Sequence, residues 1–147
     1  MNETLLNKYD RLFESKRPIK YYHFNTTYNL IKHLNSFEDG KKKEEMYFKL
    51  NEYLDYISEN DLLNARESIA IYTKYLRPVT FYYEKKLGFM YFAKWRTILL
   101  LVLIPSFILS LFFDSISAWS IILVADLAII NYFYQKYKEH KTYGHMW

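Results

Sequence analysis

Residues 97–135 read TILLLVLIPSFILSLFFDSISAWSIILVADLAIINYFYQ. Thr97–Phe113 is a charge-free run of 17 residues, and Ser115–Gln135 is a run of 21 broken only by Asp126. A helix rises about 1.5 Å per residue, so roughly 20 apolar residues cross a hydrocarbon core. The apolar stretch FMYFAKW, 89–95, can lengthen the first run. The reading is therefore a pair of transmembrane helices, 97–113 and 117–135, rather than two core helices of a soluble domain. The link between them is too short for anything but an antiparallel hairpin. Asp114 with Ser115 or Ser117 suits the positive end of the second helix.

Orientation follows from the cations. The turn has none. Lys94, Trp95 and Arg96 flank one end, and Lys136, Lys138 and Lys141 flank the other. With Trp119 these are the expected interface anchors, and the excess of Lys and Arg puts both termini on the cytoplasmic or matrix side. The start, MNETLLNKYDRLFESK, is acidic in places and lacks an apolar core. It resembles neither a cleavable signal nor a transit peptide, which favours a bacterial inner membrane over a mitochondrial one.

Asp126 is the exception inside its run. In a hairpin turning at 115–116, facing residues have numbers summing to roughly 231. Asp126 then lies beside Pro105 and Ser106, with Ser110 one turn beyond. Pro105 has no amide hydrogen, so the Leu101 carbonyl loses its helix donor. Asp126, Ser106, Pro105 and Ser110 form the expected intramembrane polar site, because a carboxylate at mid-membrane must be neutralised, paired or hydrated. Three roles fit it: glue within the hairpin or to a cationic neighbour, the lining of an aqueous path, or a tolerated polar residue without a role.

Upstream, residues 1–78 read as a small helical bundle. Leu5, Leu6, Tyr9, Leu12 and Phe13 form a stripe that Pro18 stops. Phe24, Tyr28, Ile31 and Leu34 form a second, before a turn at Glu38-Asp39-Gly40. Met46, Leu50, Tyr53, Leu54 and Ile57 form a third. Leu62, Ala65, Ile69, Tyr72 and Leu76 form a fourth, capped by Asn60 or Asp61 and ended near Pro78. Residues 79–96 are the joint, either an interfacial helix with its aromatic side chains toward lipid or a straight continuation, with Gly88 as the bend. KKKEE, 41–45, is the one charge run, and it reads as a solvated helix start. The fold class is thus all-α, a helical bundle followed by a two-helix transmembrane hairpin.

The chain lacks cysteine, so disulfides and thiolate metal sites are excluded. Its three glycines are far apart, which excludes phosphate-cradling loops. Residues 1–88 hold 15 Lys/Arg against 13 Asp/Glu, and the remaining residues 5 against 3. No basic face follows, so nucleic acid is not an expected partner. The four histidines show no ligand spacing, so no metal or cofactor is expected, nor a small-molecule substrate. The basic tail, 136–147, ends in TYGHMW, whose Tyr143, Met146 and Trp147 are expected to dock on the bundle, on a partner or in the lipid interface. Sixteen tyrosines suit crowded interfaces, although an AT-rich gene would also supply them. The functional expectation is a non-enzymatic accessory or scaffold subunit of a membrane complex. Its expected partners are the lipid bilayer and other membrane proteins or copies of itself. The alternatives are a self-assembling channel around Asp126 and an inner-membrane immunity protein.

Overall fold

A computed structural model describes residues 2–16, 21–62, 64–110 and 116–144. The described residues are mostly helical. Two compact units emerge: one runs to Phe89 and takes back the chain from Tyr143, and the other is Met90–Thr142.

The first unit is a helical bundle. Helix α1 (Asn2–Ser15) buries Leu5, Tyr9 and Leu12, while Phe13 stays more than a third exposed. Helix α2 (Phe24–Lys32) supplies Phe24, Leu30 and Ile31, and a short 3-10 turn buries Leu34. Helix α3 (Gly40–Glu59) begins where Asp39 accepts hydrogen bonds from the amides of Lys41 and Lys42, satisfying two of the helix's orphan donors. Its expected stripe is realised in full: Met46, Leu50, Tyr53, Leu54 and Ile57 are all buried. KKKEE is the solvated first turn, with Lys42 and Glu45 paired at 2.6 Å one turn apart.

The fourth segment departs from its expected course. Asn60 ends α3, and the cap of the next helix is Asn64, whose side chain accepts from the Glu67 amide. Helix α4 (Ala65–Ile71) passes through a wide π turn (Tyr72–Leu76) into α5 (Arg77–Leu87). Pro78 does not stop the chain, because it stands in the first turn of α5, where a missing amide hydrogen costs nothing. Leu62 and Leu76 of the expected stripe are buried, but Ala65 and Ile69 face outward, and Ser68, Val79, Thr80 and Tyr83 complete the core. Over this stretch Tyr83 and Phe89 are buried in the bundle, while Phe81 is 56% exposed. Gly88, in the left-handed region at φ 67°, ends α5 and is the bend.

Tyrosine hydroxyls tie this core together. Tyr53 donates to the Tyr22 carbonyl, and Tyr83 donates to the Leu30 carbonyl at 2.9 Å, which the end of α2 leaves without a helix donor. The Leu62 amide donates to Tyr22 at 3.0 Å. All three rings are fully buried.

The second unit contains β1 (Met90–Tyr91), α6 (Phe92–Ser110) and α7 (Ile116–Lys138). The Met90 amide donates to the Lys141 carbonyl at 2.9 Å, where β1 pairs with β2 (Thr142–Tyr143). Both apolar runs are helical where they are described, yet among the described residues no helix is long and apolar enough to cross a membrane. The transmembrane hairpin expected over 97–113 and 117–135 is corrected accordingly. The physical reason lies in what interrupts each helix. Lys94 and Arg96 stand near the start of α6, and the charge-free part that the described residues cover, Thr97–Ser110, is about 21 Å long, against a hydrocarbon core of about 30 Å. Helix α7 is longer, but it carries Asp126 at its middle and Asn131 soon after, and then turns basic.

Candidate functional site

The apolar helix pair α6–α7 is the feature that the rest of the fold does not explain. On α7, Ile122, Asp126, Ile129, Phe133 and Lys136 are half-buried, and their spacing of 4, 3, 4, 3 marks the side turned toward α6. Ser106 donates to an Asp126 carboxylate oxygen at 3.2 Å across that seam. Beyond it, large apolar side chains stand in the open. Leu100, Ile104 and Phe107 are 58%, 53% and 67% exposed on α6. Ile121, Leu123, Val124, Leu127 and Ile130 are exposed on α7. Grouped exposed apolar side chains are the kind of surface that interaction sites use.

The expected polar site assembles in part. Asp126 and Ser106 meet as the hairpin arithmetic requires. Pro105 lies inside α6 and is exposed, and the Ser110 side chain is outside the described ones. The carboxylate is not sealed in hydrocarbon: it is half-buried, at the edge of a helix seam. Of the expected membrane anchors, Trp119 is 48% exposed on α7, and the side chains of Lys94, Trp95 and Arg96 lie outside the described ones. Lys136 sits 5.7 Å from the Tyr132 ring centre, Lys138 is exposed, and Lys141 pairs with Glu139 at 3.0 Å. No described helix crosses a membrane, so the reading as an integral inner-membrane protein falls. With it fall the membrane-complex subunit, the channel around Asp126 and the immunity protein.

The tail docks on its own bundle. Tyr143 is buried and its hydroxyl donates to Glu84 at 2.7 Å. Thr26, 1% exposed, places its hydroxyl between two backbone groups of Gly144: it accepts from the amide at 2.9 Å and donates to the carbonyl at 3.2 Å. Gly144 has φ 107°, a conformation that favours glycine there. Met146 and Trp147 lie outside the described residues. Replacing Thr26 by Val keeps the shape and removes both bonds. Each buried backbone group left unsatisfied costs about 1–3 kcal/mol, so the tail should detach rather than stay. Hydrogen exchange at the Gly144 amide is expected to quicken on the order of 10- to 100-fold. An unchanged rate would mean that the tail is held elsewhere.

A Ser–His pair, which the sequence reading did not single out, lies in the core. His23 Nε2 is 2.9 Å from the Ser68 hydroxyl and 3.1 Å from the Ser68 carbonyl. Ser68 donates its hydroxyl hydrogen to the Tyr21 carbonyl at 2.8 Å. Both residues are buried, with Tyr72 packed against the imidazole at 4.9 Å. The geometry is that of a pin between the start of α2 and α4, since an activated serine gives its hydrogen to the histidine and faces a substrate. Its only sequence signal is a polar residue on a helix face, which apolar periodicity passes over.

Among the described residues no three His, Asp or Glu side chains converge as a metal site. Comparison of the chain with protein-family models, with curated proteins and with solved structures gives no match.

Proposed function

We propose that this chain is a non-enzymatic self-assembly protein, in which a tyrosine-pinned helical bundle carries an apolar helix pair that binds copies of itself. One observation carries the reading. Helices α6 and α7 bury one seam between them and leave large apolar side chains on their other faces. Burial of apolar surface is worth about 25 cal/mol per Å2, so this area drives association unless something covers it. The tail cannot be the cover as far as Tyr143 and Gly144 reach, because both are committed to the bundle. The commitment of Ser68 to a carbonyl supports a non-enzymatic role.

The test is the mass of the full-length chain in solution. Sedimentation equilibrium is expected to give a defined oligomer at micromolar concentration, dissociating on dilution. A chain that remains monomeric up to about 100 µM would sink the reading, since an interface weaker than that corresponds to less than about 5.5 kcal/mol.

A further inference from the structure

We infer that α7 pairs antiparallel with α7 of a second copy, along Leu123, Leu127, Ile130, Tyr134 and Tyr137; the inference rests on the self-assembly reading and gives it a geometry. These five residues are 60%, 55%, 44%, 62% and 55% exposed. Their spacing is 4, 3, 4, 3, the same as the seam that faces α6 and one residue further on. One residue is about 100° around a helix, so a second neighbour fits beside α6 without displacing it. A repeat of 3.5 residues is what a helix needs to accompany another over several turns, with knobs in holes and a slight left-handed twist. The next face round, Val124, Ala128, Asn131 and Gln135, loses its apolar character halfway. Among the described residues of α7, Leu123 to Tyr137 is the longest run of large exposed side chains at this spacing.

That the occupant is a second copy follows from the order of side chains. A two-fold axis at Ile130 sets Leu127 opposite Tyr134 and Leu123 opposite Tyr137. Every outer layer then holds one leucine and one tyrosine, and the seam has even width from end to end. Self-complementarity of this kind is what an isologous interface demands. Parallel pairing would stack leucine on leucine at one end and tyrosine on tyrosine at the other, and the seam would splay. It would also bring Lys136 and Lys138 beside their own copies, like charge on like. In the antiparallel arrangement Lys136 and Lys138 instead fall at the heights of Val124 and Ile122 of the other copy, away from their own counterparts. Two α6–α7 pairs so joined make a four-helix arrangement in which neighbouring helices cross at about 20°.

The absence of native cysteine makes the test clean, because each introduced thiol is the chain's only one. Full-length Leu123→Cys, Ile130→Cys and Tyr137→Cys chains are oxidised alone and in pairs, after sedimentation and circular dichroism have shown each to be folded and assembled. A disulfide needs α-carbons within about 7 Å, which only facing positions meet. Ile130→Cys is expected to couple to itself. Leu123→Cys mixed with Tyr137→Cys is expected to couple at least about ten times faster than either alone. Self-coupling of Leu123→Cys in an intact oligomer overturns the antiparallel pairing and leaves self-assembly standing. An intact oligomer in which none of the three couples does the same. If the wild-type chain and all three variants are monomers, both readings fail together.

Discussion

Between pH 10 and pH 12 the helical bundle should unfold in a single cooperative step. Three phenols make it do so. Burial pushes Tyr9 up to about 12, with Asp10 and Tyr28 nearby adding to the shift. Burial also holds Tyr53 and Tyr83 well above the ordinary tyrosine range, and both hydroxyls donate to backbone carbonyls that a phenolate could not serve. These are acids whose folded pKa is raised above the unfolded value near 10. The neutral form is the one the fold favours, so its stabilisation is complete below pH 10 and declines as pH rises toward the folded pKa. Each phenol costs about 1.4 kcal/mol per pH unit in that window, and three together cost about 4. By pH 12 the loss approaches about 8 kcal/mol, comparable to the whole stability of a typical domain.

The check pairs two signals on one sample. Absorbance at 295 nm counts phenolates, and far-ultraviolet circular dichroism follows helix. Phenols open to water ionise near pH 10, and helix should be intact at that stage. A second group should then ionise together with the loss of helix. Smooth ionisation of every tyrosine near pH 10, with helix retained, would show that the three rings are not sealed in the core.

The tyrosine pins also mark the limit of what the sequence discloses. The α3 stripe was legible because the helix has an unbroken period and a plain start signal in Asp39-Gly40. The Asp126–Ser106 contact was legible because a short turn leaves a hairpin only one register. The next segment misled for two physical reasons. Ser68 occupies a core position where an apolar residue is expected, and the Tyr21 carbonyl and His23 satisfy it there. The helix also starts at Ala65 rather than at Asn60 or Asp61, so a stripe counted from Leu62 sets Ala65 and Ile69 outward and meets the core again at Leu76. Thr26 and Gly144 lie 118 residues apart, and no local pattern foretells their contact. The apolar runs announced helices, and both are helical over 97–110 and 117–135. What hydropathy alone did not resolve is whether lipid or protein receives their exposed faces, since both reward the same side chains. The spacing of 3.5 along Leu123–Tyr137 is the one a helix partner needs, and it is what the proposed pairing rests on.

Changing Leu127 and Ile130 together to Glu should convert the assembly to monomers. Both positions lie at the centre of the proposed seam, where packing excludes water and a charge has no partner. In a symmetric pair the double change buries four carboxylates close together. A loss of at least about 1,000-fold in association is expected, which corresponds to roughly 4 kcal/mol. Within one chain the same side chains are exposed at 55% and 44%, so the fold itself should hardly notice. Thermal unfolding of the first unit, followed by its tyrosine signal, should stay within about 0.5 kcal/mol of the parent. Val124→Glu is the control: it is 65% exposed on the neighbouring face that ends in Asn131 and Gln135, and association should survive it. Equal dissociation by Val124→Glu and by the double change would mean that the helix pair associates through unspecific apolar contact, and the two-fold seam would have to be abandoned. Dissociation by the double change alone ties assembly to one line of side chains on α7.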